Sequence, residues 1–210
     1  MLESGDIEWL GHASFRITFN DRIIYIDPWE ISDPKPGDII FITHSHFDHF
    51  SPEDVSKLAK QGTYLIGPQD ISGKVPSGCE FVAVKPGDEK EILGIKFEVI
   101  PAYNINKQFH PRNNNWVGYV IHLGDTKVYH PGDTDLIPEM ENIKPDIALL
   151  PIGGTYTMNA EEAAQAAKRM NAKKVIPMHY GKIVGSDKDL EIFKSSLPPD
   201  VEVLTLPSGR

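Results

Sequence analysis

Three histidines and one aspartate within six residues place the strongest constraint on how this chain can fold. The segment reads His44-Ser45-His46-Phe47-Asp48-His49. It follows residues 38–43, a short apolar run of the kind that forms a strand covered on both faces. In an extended segment His44 and His46 point to the same side, and Asp48 and His49 lie on the turn that follows. The fold must therefore present four metal-binding side chains at the end of one strand.

The side-chain types in this segment restrict which ion can bind. Imidazole and carboxylate together suit zinc, iron or manganese, and the spacing lets His44 and His46 serve one ion while Asp48 and His49 serve a second. The alternative is a polar loop with incidental histidines. Because such crowding of histidines without a ligand role is uncommon, we predict two divalent metal ions, with zinc favoured over manganese or iron.

Composition limits the kind of protein this can be. The 210 residues include 40% hydrophobic and 24% charged side chains, which fits one globular domain over residues 1–210. A formal net charge of −9 disfavours a nucleic-acid partner and favours a small-molecule substrate. Cys79 is the single cysteine, the first residues lack the features of a signal peptide, and no apolar run is long enough to span a membrane. We therefore predict a cytoplasmic protein.

Hydrophobic periodicity predicts a strand-rich α/β chain. Residues 15–19 alternate between apolar and polar side chains, and residues 22–27 return after a turn as the second strand of a hairpin. Helix N-terminal signals occur at Ser51, Asn159 and Ser186. Further strands are predicted at residues 63–66, 81–84, 95–100, 117–123, 127–130, 147–151, 175–178 and 201–206. Strands that dominate the first two thirds, with helices between them, indicate one α/β domain with helices outside packed sheets.

Two more metal-ligand candidates follow predicted strands. Asp133 stands in a Pro-Gly-Asp segment just after the strand that ends near His130, and His179 comes directly after residues 175–178. Taken alone, Asp133 fits a common turn and His179 fits a structural histidine. The recurrence of His or Asp after several strands favours a shared role, because α/β proteins build sites at the carboxyl ends of strands.

The order of these motifs resembles the metallo-β-lactamase superfamily over nearly the whole chain. The segments that carry the resemblance are Trp9-Leu10-Gly11-His12-Ala13-Ser14, Ile26-Asp27-Pro28, His44 to His49, Gly132-Asp133-Thr134 and Pro177-Met178-His179-Tyr180. The Gly-His-Ala-Ser segment, Pro151-Ile152-Gly153-Gly154 and Pro-Met-His-Tyr are similar to the branch that includes ascorbate-6-phosphate lactonase and the N-acylphosphatidylethanolamine phospholipase. The resemblance implies a four-layer αββα sandwich with a dinuclear metal site at one edge. It also implies that Asp133 bridges the ions and that His179 is the last histidine ligand.

The chain departs from the superfamily pattern at one place. Related enzymes usually have a metal-binding histidine shortly after a Pro-Ala segment, whereas here Tyr103 and Asn104 follow Pro101 and Ala102. His110, on the following loop, is the local candidate for the third imidazole of the first ion. The alternative is a loop histidine that contacts solvent.

Three other residues have predicted supporting roles. Asp27 matches the superfamily aspartate that accepts a hydrogen bond from a ligating histidine, although an Asp-Pro turn after a strand explains it equally well. His12 is expected to act as a second support at the edge of the site. Tyr180 is a candidate for donating a hydrogen bond to a substrate oxyanion, and packing is its alternative. His122 and His130 match no motif and are expected to be structural.

These observations predict a metal-dependent hydrolase. A hydroxide shared by two metal ions would attack an ester-like bond of a small substrate, a lactone, thioester or phosphodiester, with Asp48 and Tyr180 as catalytic side chains. Two alternatives stay open: a metal-stabilised binding protein without turnover, and a di-iron protein that carries out oxygen chemistry. Specificity is expected to lie in loops such as residues 103–115.

Overall fold

The computed structural model describes residues 6–207, which form two compact units, each built on its own mixed sheet. The first unit contains the described residues up to Lys85 together with Leu206 and Pro207, and the second unit is Pro86–Thr205. The prediction that residues 1–210 form a single domain stays a prediction. Among the helices of the described chain, none has both the length and the apolar character needed to cross a membrane.

The sheet of the first unit contains six strands in chain order. They are β1 (Ile7–Gly11), β2 (Ser14–Phe19), β3 (Arg22–Ile26), β4 (Ile39–Phe41), β5 (Thr63–Pro68) and β6 (Cys79–Val84). The first three are antiparallel neighbours, whereas β3 to β6 run parallel. The predicted hairpin is confirmed as β2 and β3. Its turn residues Asn20 and Asp21 both have positive φ, as a two-residue turn that matches the twist of the strands requires.

The sheet of the second unit contains seven strands, again in chain order. They are β7 (Glu89–Ile92), β8 (Ile95–Pro101), β9 (Val117–Leu123), β10 (Thr126–His130), β11 (Ile147–Pro151), β12 (Lys174–Met178) and β13 (Glu202–Val203). β7 to β10 are antiparallel neighbours, and β10 to β13 run parallel. Both sheets therefore begin with an antiparallel meander and end with parallel strands.

The predicted helices are confirmed as α1 (Pro52–Leu58), α2 (Ala160–Met170) and α3 (Asp187–Ser196). Short 3₁₀ helices occur at Gln69–Lys74, Arg112–Asn114 and Pro138–Asn142. The side chain of Ser51 accepts a hydrogen bond from the Asp54 amide and so begins α1. In α2, Asn159 and Glu162 form a reciprocal capping box, with distances of 2.8 and 2.9 Å between the partners.

Sequence patterns missed β1 and β7, and they overextended β13. β7 contains Glu89, Lys90 and Glu91, which are poor strand formers and are exposed at the edge of the sheet. Pairing with β8 through the Leu93-Gly94 turn stabilises this strand despite its composition. Tertiary pairing rather than local preference thus decides the structure of β7.

In both units polar side chains follow the carboxyl ends of strands. In the first unit Asp27 follows β3, and the histidine-rich segment follows β4. In the second unit Asp133 lies three residues after β10, and His179 follows β12 directly. In both units predicted site residues therefore lie just past the carboxyl ends of strands.

Candidate metal centre

The histidine-rich segment of the first unit begins three residues after β4 ends at Phe41. His44 and His49 are buried, Asp48 is 8% exposed, and His46 is half-buried. His44 Nε2 lies 3.1 Å from His46 Nδ1, and the ring centroids of His44 and His49 are 4.1 Å apart. The structure therefore brings together the three imidazoles that the spacing predicts as ligands.

Asp27 is the hydrogen-bond acceptor beneath these imidazoles. The residue is fully buried and has a φ of 46°, an uncommon value for a residue other than glycine. Its Oδ1 accepts the backbone N–H of Thr43 at 2.8 Å, and its Oδ2 accepts the Thr43 hydroxyl at 2.6 Å and His49 Nδ1 at 2.7 Å. One ligand atom from each of Asp27, His44 and His49 lies within 4.8 Å of the others.

These hydrogen bonds determine where the imidazole protons lie. The His49 Nδ1–H faces a carboxylate oxygen, which can only accept, so the lone pair of a neutral His49 ring is on Nε2. The hydroxyl hydrogen of Thr43 is directed at Asp27, so Thr43 Oγ1 accepts from His44 Nδ1 at 3.0 Å. His44 therefore also carries its lone pair on Nε2. Asp27 orients His49 directly and His44 through Thr43, in the manner of an acceptor behind metal-binding histidines.

His12 lies beside Asp48. His12 Nε2 is 3.0 Å from Asp48 Oδ2, and the His12 ring packs against His49 with centroids 5.6 Å apart. His12 has a φ of 51°, and its carbonyl accepts a hydrogen bond from the Trp9 indole at 3.0 Å. The supporting role predicted for His12 therefore corresponds to a direct contact with the Asp48 carboxylate.

The second unit assembles its predicted ligands from three separate segments. Asp133 Oδ2 lies 3.3 Å from His110 Nε2 and 3.1 Å from His179 Nε2. All three side chains are buried, with exposures of 3%, 2% and 0% in the order Asp133, His110 and His179. Both imidazoles thus point at the same carboxylate oxygen, so the structure brings together the three residues predicted in this unit.

Glycine makes room for the backbone of His179. A Cβ at position 153 would collide with the His179 carbonyl oxygen and would come within 2.6 Å of Val184 Cγ2. His179 itself has a φ of 57° and lies directly before Tyr180.

Burial raises the pKa of Tyr180, and the charge of Asp187 adds to that effect. The Tyr180 hydroxyl therefore stays protonated at neutral pH, as a hydrogen-bond donor must.

His122 and His130 are held by contacts of a structural kind. His122 Nε2 lies 2.8 Å from Glu98 Oε1, and His130 Nδ1 accepts the backbone N–H of Gly132 at 3.1 Å. Neither contact includes a predicted ligand.

The donor chemistry of both units fits a divalent cation. His110 Nδ1 donates to the side-chain oxygen of Asn104 at 3.2 Å, so a neutral His110 ring points its lone pair at Asp133 Oδ2. Two acceptors at that separation repel each other unless a proton or a cation lies between them. Neutral imidazoles combined with carboxylates are the ligands that zinc, iron and manganese accept.

Comparison with known proteins decides the family. A model of the β-lactamase superfamily domain matches residues 6–179. A protein of Thermococcus onnurineus named UPF0173 metal-dependent hydrolase is 35% identical, and the alignment covers 97% of each chain. The chain belongs to the UPF0173 metal-dependent hydrolase family of the β-lactamase superfamily.

Solved structures support this family assignment. A crystal structure from Parabacteroides distasonis matches with a TM-score of 0.81 at 33% identity, covering 96% of this chain and 93% of the other. A metallo hydrolase from the archaeon Ignicoccus hospitalis matches with a TM-score of 0.77 at 26% identity, covering 97% and 95%. The predicted superfamily and its fold are therefore confirmed. The finer resemblance to the branch of ascorbate-6-phosphate lactonase stays a prediction.

Two residues of this UPF0173 hydrolase have roles that sequence patterns did not predict. Thr43 links Asp27 to His44, and Asn104 contacts His110. Thr43 stands directly before the first histidine, yet a threonine at the end of a strand is too common to indicate such a link. The contact of Asn104 with His110 depends on a loop conformation that no sequence pattern indicates.

Proposed function

We propose that this UPF0173 protein hydrolyses an ester-like bond of a small molecule with two divalent metal ions as cofactors. The proposed ligands are His44, His46, Asp48, His49, His110, Asp133 and His179. The observation that carries the proposal is the pair of buried imidazole nitrogens aimed at Asp133 Oδ2, at 3.3 and 3.1 Å, because only a cation or protons can stabilise that arrangement. We favour zinc because the donor set mixes imidazole nitrogen with carboxylate oxygen.

Bound ions would lower the pKa of a coordinated water and polarise the substrate. The residues of the chain supply what remains. Asp27 and Thr43 keep His44 and His49 in the tautomers that present Nε2. Asp48, held by His12 through one oxygen, takes the proton of the attacking water. Tyr180 donates its hydroxyl hydrogen to the oxyanion that develops at the attacked atom.

Charge pairing favours a neutral substrate over a phosphodiester. The loop of residues 103–115 contains Lys107 and Arg112, but Lys107 Nζ lies 2.6 Å from Asp135 Oδ1 and Arg112 Nη2 lies 2.9 Å from Glu139 Oε1. Both cations of this loop are thus already paired with carboxylates. An anionic phosphodiester would have to compete with those carboxylates, which a neutral carboxylic ester, lactone or thioester does not.

Exposed apolar side chains next to the predicted ligands favour an apolar group in the substrate. Phe47, which lies between His46 and Asp48, is 69% exposed, and Phe109, which precedes His110, is 47% exposed. Isolated exposed apolar side chains are ordinary, but their position in ligand-bearing loops indicates ligand contact. We therefore propose a neutral ester, lactone or thioester that carries an apolar group.

A metal and substrate assay tests this function. Bound metal is measured in the purified protein, and hydrolysis is measured on a panel of lactones, thioesters, carboxylic esters and phosphodiesters. His46→Ala and Asp133→Ala are compared with His122→Ala, which removes an imidazole paired with Glu98 instead. We expect the first two variants to lose metal and turnover and the control to keep both.

Three outcomes would contradict the proposal at different levels. Metal content that survives both His46→Ala and Asp133→Ala would refute the ligand assignment. Metal binding without turnover of any panel member would favour the metal-stabilised binding protein. Turnover of phosphodiesters in preference to neutral esters would refute the substrate class alone.

A further inference from the structure

Asn104 lies in the loop before β9, six residues before His110. The residue is 8% exposed, and its side-chain oxygen contacts two atoms of His110. Asn104 Oδ1 accepts the backbone N–H of His110 at 2.9 Å and lies 3.2 Å from His110 Nδ1. The two residues also pair through the backbone, since the Asn104 N–H donates to the His110 carbonyl at 2.8 Å. Asn104 and His110 therefore form one local unit within the loop.

The orientation of the Asn104 amide follows from its other partners. Asn104 Nδ2 donates to Asp135 Oδ1 at 3.1 Å and to the Tyr156 carbonyl at 2.9 Å. Both partners are oxygen atoms that only accept hydrogen bonds, so the amide nitrogen must be on their side. The amide oxygen must then face His110. Asp135 itself is fixed, because it also accepts the Ile105 N–H at 2.8 Å and the Lys107 ammonium at 2.6 Å.

The amide oxygen determines the tautomer of the imidazole. An amide oxygen cannot donate, so His110 Nδ1 carries the hydrogen in their contact. In a neutral ring the lone pair is then on Nε2, which lies 3.3 Å from Asp133 Oδ2. The opposite tautomer would place a hydrogen on Nε2 and would bring two acceptors together at Nδ1. That tautomer cannot bind a metal through Nε2.

We infer that Asn104 is a positioning residue for metal binding, whose amide oxygen holds His110 in the Nδ1–H tautomer and directs Nε2 at the ion. The inference rests on the proposed function, in which His110 is a ligand. Asn104 thus supports a ligand that lies six residues further along the chain, instead of serving as a ligand itself.

Metal affinity measured with Zn²⁺ alone tests the inference without any substrate. Asn104→Leu removes both polar groups at similar volume, and we expect about 10-fold to 100-fold weaker Zn²⁺ binding in competition with a chromophoric chelator. The visible absorption of the Co²⁺-loaded protein should also change, because one ligand is lost or displaced. Arg112→Met is the matched control, since it removes a cation of the same loop that pairs with Glu139 instead of Asp135. It should keep wild-type Zn²⁺ affinity.

A double-mutant cycle shows whether Asn104 acts through His110. In a His110→Ala background the Asn104→Leu substitution should weaken Zn²⁺ binding no further. Asn104→Asp keeps an acceptor for the imidazole, so it should retain most of the affinity even if its thermal stability falls beside Asp135. This variant keeps the test valid if Asn104→Leu does not fold.

The outcomes separate this inference from the proposed function. Zn²⁺ affinity unchanged by His110→Ala would refute the ligand assignment and, with it, the inference. If His110→Ala weakens binding while Asn104→Leu does not, or if the two losses simply add, the positioning role alone is refuted. A loss in Arg112→Met equal to that in Asn104→Leu would assign the effect to general loop disruption and would refute the positioning role.

Discussion

The two units use different hydrogen-bond acceptors to orient their imidazoles. In the first unit a buried carboxylate, Asp27, serves His49 directly and His44 through Thr43. In the second unit a neutral amide, that of Asn104, serves His110. A charged acceptor forms stronger hydrogen bonds than a neutral one and raises ligand basicity. We therefore expect metal affinity in the first unit to depend mainly on the charge of Asp27. In the second unit we expect it to depend mainly on the conformation of the loop that carries Asn104.

The units also differ in how their ligands are gathered. The first unit takes four predicted ligands from one segment of six residues, whereas the second takes His110, Asp133 and His179 from three segments. The contiguous set is determined mainly by local conformation. The dispersed set requires the loop before β9 and the ends of β10 and β12 to be placed correctly at once. Packing errors should therefore affect the second set more than the first.

The largest effect is expected from Asp27→Leu. This change leaves three buried donors without their acceptor, and we expect a loss of about 3–5 kcal/mol in the free energy of unfolding, measured by urea denaturation. Zn²⁺ affinity should fall further than in Asn104→Leu. Asp200→Leu, at an exposed position, serves as the control. Equal losses of Zn²⁺ affinity in Asp27→Leu and Asn104→Leu would show that the charge of the acceptor does not affect metal binding.

The next effect tests the dependence of the second unit on packing. Gly153→Ala introduces a Cβ against the His179 carbonyl and the Val184 side chain, so we expect about 1–3 kcal/mol of destabilisation together with reduced metal content. Gly73→Ala is the control, because its Cβ would meet no atom within 4 Å. Unchanged metal content in a destabilised Gly153→Ala protein would separate the position of His179 from the packing around it.

A smaller effect is expected on the stability of the first unit at acidic pH. Burial raises the pKa of Asp38, but the Lys60 hydrogen bond, the Ile23 amide at 2.8 Å and the Arg22 charge outweigh it, so the folded pKa is lowered. A lowered carboxyl pKa contributes stability above the pKa of the unfolded chain, and that contribution is lost as pH falls through the folded value. Between pH 6 and pH 3 the free energy of unfolding of Asp38→Asn, measured by urea denaturation, should therefore fall less than that of wild type, by about 1 kcal/mol. An identical slope in both proteins would contradict this assignment.

The smallest expected effect lies in the second unit, and it is a gain in stability instead of a loss. Tyr129 is fully buried, and its hydroxyl has no hydrogen-bond partner among residues 6–207. Burial, followed by the charge of Glu139, raises the pKa of Tyr129. Because the folded pKa is raised, stability falls as pH rises above the pKa of the unfolded chain, so this group responds to alkali rather than to acid. At neutral pH Tyr129→Phe should raise the free energy of unfolding by about 0.5 kcal/mol, as measured by urea denaturation. A decrease would show that the hydroxyl has a partner, such as a buried water.

The first unit shows which features of the candidate site sequence patterns can predict. Spacing alone predicted that the imidazoles of the histidine-rich segment lie close together, because they belong to one short segment whose local geometry brings them together. The link through Thr43 was not predictable, since it depends on bringing Asp27 beside a segment sixteen residues further along the chain.

The second unit shows which features sequence patterns cannot predict. The sequence indicates His110 only because the segment contains no other histidine, and the structure places it against Asp133. The role of Asn104 could not be predicted, because it depends on the conformation of a loop held by Asp135 from a distant segment. β7 was missed for a related reason, since its charged residues form a strand only when β8 is beside them.

The left-handed backbone at three proposed site residues bears on any attempt to engineer this enzyme. His12, Asp27 and His179 have φ values of 51°, 46° and 57°. For residues other than glycine that conformation costs roughly 1–2 kcal/mol. At Asp27 the three hydrogen bonds to its carboxylate outweigh that cost, but a selection for heat resistance alone would favour glycine at His12 and His179 and would remove two side chains of the proposed site. Directed evolution of this protein should select for turnover in every round, because its most heat-resistant descendants are expected to include inactive ones.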